Sequence, residues 1–207
     1  MSSESTNKRI AKNTLLLYVR MLLTMVIGLY TSRVVLAELG ISDYGLYSVV
    51  GGIVTMFTFI NGSLNAGTQR FLTFELGRGD IVQLKELFST AIVIYTFLAM
   101  IILFLAETIG LWFLLNKMNF APGRLNAAIW VYQFSIIACM VSIIQVPFMA
   151  ALVAHEKFNM YAYMSIYDAV MKLAIVFLLT FAPFDKLIFY AFLILLVSTS
   201  SAVIYNW

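Results

Sequence analysis

Six long apolar runs occupy almost the whole of this chain and constrain its fold more than any other feature. A membrane-spanning helix needs about 20 mostly apolar residues, at 1.5 Å of rise per residue. By that measure the sequence predicts spanning helices near residues 14–36, 44–67, 87–107, 125–150, 160–182 and 187–207. The predicted fold class is therefore all-α, a polytopic bundle of six transmembrane helices at 14–207 that follows a polar cytoplasmic tail at 1–13.

Composition excludes a soluble domain and several kinds of site. Of 207 residues, 62% are hydrophobic and only 11% charged, whereas soluble domains carry about 25% charged residues. One cysteine, Cys139, and one histidine, His155, argue against a disulfide framework and against a Cys- or His-rich metal site. The sequence contains no P-loop, HExxH motif, nucleophile elbow or acidic cluster. We therefore expect no enzymatic activity, no cofactor and no metal, and the scattered basic residues do not form a nucleic-acid-binding face.

Two glycine-containing breaks and the distribution of basic residues predict the topology. Residues 40–43 and 77–80 are turn-like, and Lys and Arg in short loops favour the cytoplasmic side. A cytoplasmic N-terminus places seven basic residues inside and three outside, which predicts that both ends of the chain are cytoplasmic. The inner set is Lys8, Arg9, Lys12, Arg70, Arg78, Lys85 and Lys157, and the outer set is Lys117, Arg124 and Lys186.

Asp168 and Lys172 form the most informative pair inside the predicted spans. Their i, i+4 spacing places both on one helix face, close to the middle of a hydrocarbon core about 30 Å thick. A charge there costs roughly 2.5–3.5 kcal/mol, while an exposed i, i+4 pair returns only about 0.3–0.5 kcal/mol. The pair therefore predicts a water-filled cavity or further polar partners. A structural pair that only orients helices is the alternative.

Two arginines lie in the first predicted span. Arg20 and Arg33 are thirteen residues apart, which separates them by about 140° around a helix, so both cannot face one narrow groove. Arg33 is close enough to the outer end to extend its charge to the lipid headgroups. Arg20 lies two turns inside the span, although its long side chain could reach the inner interface.

Stripes of small and polar residues run along the second and fourth predicted helices. Such stripes permit close helix packing in lipid, and their polar members could equally line a cavity. Pro147 is expected to kink the fourth helix. The second-helix stripe is Ser48, Gly51, Thr55, Thr58, Gly62, Asn65 and Gln69, the fourth-helix stripe is Tyr132, Ser135, Cys139, Ser142 and Gln145, and the candidate cavity-lining residues are Thr55, Thr58, Asn65 and Gln145.

Residues 14–80 contain six stretches that together form a recognisable pattern: Arg33-Val34-Val35-Leu36, Leu39-Gly40, Asp43-Tyr44-Gly45-Leu46-Tyr47, Val49-Val50-Gly51-Gly52-Ile53-Val54, Gln69-Arg70-Phe71 and Glu75-Leu76-Gly77. This pattern resembles the O-antigen flippases, which are polysaccharide-export members of the MATE-like (MOP) transporter superfamily. The later helices match that family in number and length only.

The resemblance implies two six-helix lobes around a central cavity, of which this chain is the N-terminal one, with the C-terminal lobe missing. It implies export of a lipid-linked oligosaccharide, a sugar repeat on undecaprenyl pyrophosphate, across the bacterial inner membrane for polysaccharide or lipopolysaccharide biosynthesis. Besides substrate and membrane lipids, the implied partners are the missing lobe or a polysaccharide polymerase. On this basis Arg20, Arg33 and Lys172 are candidate diphosphate-binding residues, and Asp168 is a candidate coupling-ion or proton site.

Three other functions are compatible with six apolar helices. A MATE-type exporter of small amphiphilic cations would favour acidic residues in its cavity. A membrane scaffold without a substrate would have an apolar interior in which all the ionisable residues pair with one another. A membrane-bound enzyme of polysaccharide assembly would need the acidic cluster that this sequence lacks.

Overall fold

The computed structural model describes residues 3–118, 120, 123–182 and 185–205, with side chains described for all of these except residues 3–13 and 57–61. All regular structure in these ranges is helical, as predicted. Residues 81–117 form one continuous rod that contains a π-helical turn. The elements are α1 (Ser3–Arg78), α2 (Ile81–Leu105), the π-helical turn (Ala106–Gly110), α3 (Leu111–Lys117), α4 (Leu125–Ala154), α5 (Phe158–Thr180) and α6 (Lys186–Tyr205).

Within the described ranges, five helical segments are long and apolar enough to cross a membrane, which identifies a multi-pass membrane protein. The first is 43 residues long and would measure about 64 Å if it were straight, twice the thickness of a hydrocarbon core. The segments are Thr14–Met56, Ile81–Lys117, Leu125–Ala154, Phe158–Thr180 and Lys186–Tyr205.

Helix α1 is broken at Gly40, which divides it into a first arm (residues 3–39) and a second arm (residues 41–78). Gly40 has φ 77° and ψ 168°, a conformation that is essentially restricted to glycine. In the first arm, Arg20 lies against Tyr161 near the start of α5, and Glu38 pairs with Lys186 at the start of α6, after α5 has ended. The first arm therefore runs parallel to α5.

The second arm runs in the opposite direction. Its start is joined to the start of α4 by an ion pair between Asp43 and Arg124. Farther along, the Thr68 hydroxyl bonds the Tyr95 hydroxyl of α2 at 2.8 Å, and Arg78 leads directly into the turn before α2. The chain thus reverses direction at Gly40. We call the end of the bundle with this reversal the Gly40 end, and the opposite end, with the turn before α2, the Asp80 end.

Ion pairs connect three helix starts at the Gly40 end. The Arg124 guanidinium contacts the carboxylates of both Asp43 and Asp185, so that the second arm, α4 and the start of α6 are joined through one side chain. Lys186 Nζ lies 2.8 Å from Glu38 Oε2. Asp43 is buried, with 7% of its surface exposed. The paired charges hold the reversal against the rest of the bundle.

The turn at the Asp80 end contains only two residues. Gly79 has φ 74°, and its N–H donates to the carbonyl oxygens of Glu75 and Leu76, which is typical of a glycine that ends a helix. Asp80 Oδ1 accepts hydrogen bonds from the backbone N–H groups of Val82 and Gln83, so Asp80 caps α2.

The predicted helix bounds differ most in the first half of the chain. The break predicted at residues 40–43 consists of the single residue Gly40. Helix α1 begins at Ser3, where residue 14 was predicted, and the second arm ends at Arg78, where residue 67 was predicted. The third helix starts at 81 and the rod continues to 117, where 87–107 was predicted. Helices α4, α5 and α6 begin and end within about four residues of the predicted bounds, although residues 206–207 lie outside the described residues. Helix α4 continues through Pro147.

The π-helical turn accommodates a buried tyrosine of α4. The Tyr132 hydroxyl donates to the Ala106 carbonyl oxygen at 2.7 Å, and Tyr132 is completely buried. Gly110, at the end of the turn, leaves space for the phenol, since a Cβ there would lie 2.0 Å from the Tyr132 oxygen. The turn therefore fixes how the α2–α3 rod packs against α4.

Replacing Gly40 with alanine is expected to lower the free energy of unfolding by about 1–3 kcal/mol, because a side chain is strained at this φ. Apart from Gly40, its chain neighbours and the adjacent helix backbone, no described atom lies within 4 Å of the added Cβ, so the cost is conformational. Gly52→Ala is the matched control, since Gly52 is helical and equally open. Unfolding in detergent followed by circular dichroism measures both variants. Equal stability of the two variants would contradict the strained reversal.

Replacing Gly110 with alanine is expected to cost about 1–3 kcal/mol of stability through overpacking against the Tyr132 hydroxyl. In the double variant with Tyr132→Phe, the clashing oxygen is gone, so the two losses should be less than additive. A double-mutant cycle of unfolding free energies measures this coupling. Strict additivity would show that the hydroxyl and Gly110 do not compete for the same space.

Candidate functional site

A polar cavity of about 640 Å³ lies among the first arm, α4, α5 and α6. Its volume is in the range of small-molecule sites, about 300–1,000 Å³. Among the described side chains, two cations and one carboxylate line it, together with hydroxyl, amide and aromatic groups. The charged residues are Arg20, Asp168 and Lys172, the hydroxyl and amide residues are Thr24, Thr31, Ser32, Gln145, Ser165 and Ser201, and the aromatic residues are Tyr47, Tyr190 and Tyr205.

Arg20 is the cation of this cavity that lacks a described carboxylate partner. Its guanidinium carbon lies 4.3 Å from the centre of the Tyr161 ring, a cation–π contact. Its Nε is buried, and among the described residues it has no hydrogen-bond partner. Arg20 lines the cavity and has no described carboxylate partner, so its guanidinium, which has five N–H donors, keeps its positive charge there.

Asp168 and Lys172 form the pair that the sequence predicted, and both line the cavity. Lys172 Nζ lies 2.7 Å from Asp168 Oδ2, and the Ser201 hydroxyl donates to Asp168 Oδ1 at 3.3 Å. Asp168 is ten residues, or about 15 Å, from the start of α5 and is close to its middle. The side chains of Lys172 and Asp168 are 45% and 36% exposed. A charge pair at this depth therefore faces a cavity rather than packed protein.

The cavity includes only some of the other predicted site residues. Gln145 of α4 lines it, and its amide contacts the Ser198 carbonyl oxygen at 3.5 Å. Arg33 is exposed and lies outside the cavity lining, as its angular separation from Arg20 predicts. Arg33 has no ion pair with a described residue.

Thr55 and Asn65 do not line this cavity either. Both lie on the second arm, whose one described lining residue is Tyr47. Thr55 is exposed and donates to the Gly52 carbonyl oxygen at 2.8 Å. Thr58 lies among residues 57–61, outside the described side chains.

Two polar features were missed in the sequence. Along the first arm, Arg20, Thr24, Gly28 and Thr31 are spaced by four, four and three residues, a helical face that lines the cavity. The Thr31 hydroxyl is buried, with no hydrogen-bond partner among the described residues. The same search that found the stripe on the second helix would have found this one.

Glu107 is the second missed feature. It was predicted at the very end of a span, but the rod continues to Lys117, so Glu107 is ten residues, or about 15 Å, from that end. Gln133 of α4 donates to Glu107 Oε2 at 3.2 Å. Glu107 is therefore an ionisable group within the helices, in addition to Arg20, Arg33, Asp168 and Lys172. It lies outside the polar cavity.

In the described part of the chain, no group of three or more His, Cys, Asp or Glu side chains is placed to hold a metal ion. Comparisons of the chain with protein-family models, with curated proteins and with solved structures gave no match. A proposal for the function of this chain therefore rests on the cavity and its charges.

Proposed function

We propose that this chain is one lobe of a flippase that moves a lipid-linked oligosaccharide across the bacterial inner membrane for polysaccharide or lipopolysaccharide biosynthesis. The substrate class comes from the resemblance of residues 14–80 to O-antigen flippases. The observation that carries the proposal is Arg20, a cation in a polar cavity with no carboxylate partner among the described residues. An undecaprenyl pyrophosphate headgroup is an anion that such a cavity would attract.

Arg20 and Lys172 suit a diphosphate in different ways. The planar guanidinium can donate two parallel hydrogen bonds to phosphate oxygens, while the ammonium acts as a point charge. When no substrate is bound, Asp168 neutralises Lys172, since Asp168 Oδ2 lies 2.7 Å from Lys172 Nζ. A diphosphate that competes for Lys172 would leave the Asp168 carboxylate to a proton or a cation. In the proposal this exchange couples transport to an ion.

The proposed topology has six crossings. The reversal at Gly40 divides Thr14–Met56, and the second arm then returns to the Asp80 end before α2 begins. An even number of crossings places both ends of the chain on the same side. The basic residues near the Asp80 end favour the cytoplasm for that side, with the Gly40 end facing the periplasm.

The cavity charges also weigh on the alternatives. A cation exporter is disfavoured because the described residues that line the cavity include two cations and one carboxylate. A scaffold without a substrate is disfavoured because Arg20 does not pair with a described carboxylate. A membrane-bound enzyme has no specific observation in its favour.

Replacing Arg20 or Lys172 with alanine is expected to lower polysaccharide export at least about tenfold, which corresponds to about 1.4 kcal/mol of lost anion binding. Export is measured by expressing the intact protein in a flippase-deficient bacterial strain. Lys172→Arg should retain much of the export, since the positive charge remains. Lys85→Ala is the control, because Lys85 is exposed and lies outside the cavity. Undiminished export by both alanine variants, at equal protein levels in the membrane, would refute the proposed role.

A further inference from the structure

A second cavity, also of about 640 Å³, lies between the second arm and α2 near the Asp80 end. We call it the acidic groove. Two carboxylates, those of Glu75 and Glu86, line it, and its described lining includes no Lys, Arg or His. Its charge is therefore opposite in sign to that of the first cavity. Its apolar wall consists of Leu64, Phe71, Leu87 and Ile94.

Glu75 is a buried carboxylate with an incomplete set of partners. The residue is 9% exposed, and Oε1 lies 3.6 Å from Arg78 Nη1, on a side chain that is itself 56% exposed. Oε2 is buried and has no hydrogen-bond partner among the described residues. Leaving a buried acceptor unpaired costs about 1–3 kcal/mol, and more for a charged group. A cationic ligand in the groove would offset this cost through its attraction to the charge of the carboxylate.

The acidic groove carries its two carboxylates at one end and is uncharged at the other, where the Thr68 and Tyr95 hydroxyls bond each other. Glu75 is only four residues, or about 6 Å, from Gly79 at the helix end, so the carboxylates lie near the level of the membrane interface. Leu64 is eleven residues, or about 16 Å, deeper along the second arm, and Ile94 lies at a corresponding depth on α2. This gradient matches an amphiphile whose head remains at the interface while its tail enters the hydrocarbon core.

We propose that the acidic groove binds a membrane lipid with an ammonium headgroup, of the phosphatidylethanolamine class. The ammonium donates to Glu75 and Glu86, and one acyl chain lies along Leu64, Phe71 and Ile94. The exposed Arg78 at the rim is placed to meet the lipid phosphate. Lipids with a net negative charge and no ammonium are disfavoured by repulsion from the two carboxylates. This lipid site is separate from the proposed substrate cavity and does not depend on it.

Native mass spectrometry of the purified chain tests the proposal, with phosphatidylethanolamine and phosphatidylglycerol of identical acyl chains as probes. We expect the chain to retain phosphatidylethanolamine at least about tenfold more strongly. Glu75→Gln should abolish this preference because it removes the charge and preserves the shape. Asp80→Asn is the matched control: it removes one nearby charge outside the groove, and asparagine caps a helix as well as aspartate does. Its lipid preference should equal that of the unmodified chain.

Equal retention of the two lipids by the unmodified chain would overturn the proposal. So would an unchanged preference in Glu75→Gln, or binding of a single-chain alkyltrimethylammonium compound without binding of phosphatidylethanolamine. If Glu75→Gln does not fold, Glu86→Gln replaces it, because Glu86 is exposed. That variant should lose part of the preference, and no loss would again contradict the site. If a variant that has lost the lipid preference still exports polysaccharide normally, the proposed role of the substrate cavity is unaffected.

Discussion

The reversal at Gly40 is the constraint on which the rest of the structure depends. It returns the second arm to the Asp80 end, so the first arm is free to pack beside α5 and bring Arg20 to Tyr161. The ion pairs of Arg124 with Asp43 and Asp185 hold the turn in place. A straight α1 would place the two arms at opposite ends of a rod, and the polar cavity, which the first arm lines beside α4, α5 and α6, would not form.

The charges of this chain occupy two kinds of environment. At the Gly40 end, carboxylates and cations pair among helix starts, where lipid headgroups and water are close. Within the helices, a charge costs roughly 2.5–3.5 kcal/mol at the membrane centre, more than one ion pair returns. Lys172 and Asp168 are therefore tolerated because they face a polar cavity, in which water or a ligand can solvate them. The same cost explains why Glu107, about 15 Å from the end of its rod, lies beside the Gln133 amide rather than against lipid alone.

Part of the fold and of the candidate site could be predicted from the sequence. Apolar run length predicted the all-helical membrane fold, and the i, i+4 spacing predicted the Asp168–Lys172 pair, since both depend only on local periodicity. Helix ends were less accurate wherever a single glycine sufficed for a turn, as at Gly40 and Gly79. The contact of Arg20 with Tyr161, and the position of Thr55 outside the cavity, depend on which helices become neighbours. Periodicity along one helix does not contain that information.

Cysteine accessibility in the membrane tests the central claim, a water-filled cavity that attracts anions. In a Cys139→Ser background, which removes the single native cysteine, Ala169→Cys places a thiol in the cavity lining. Val170→Cys places one at nearly the same depth but 48% exposed on the outside of the bundle. If the cavity holds water and attracts anions, water-soluble thiosulfonates should react at least about tenfold faster at position 169, and the anionic reagent should be preferred there. Equal rates at the two positions, or no reaction at 169, would contradict this claim.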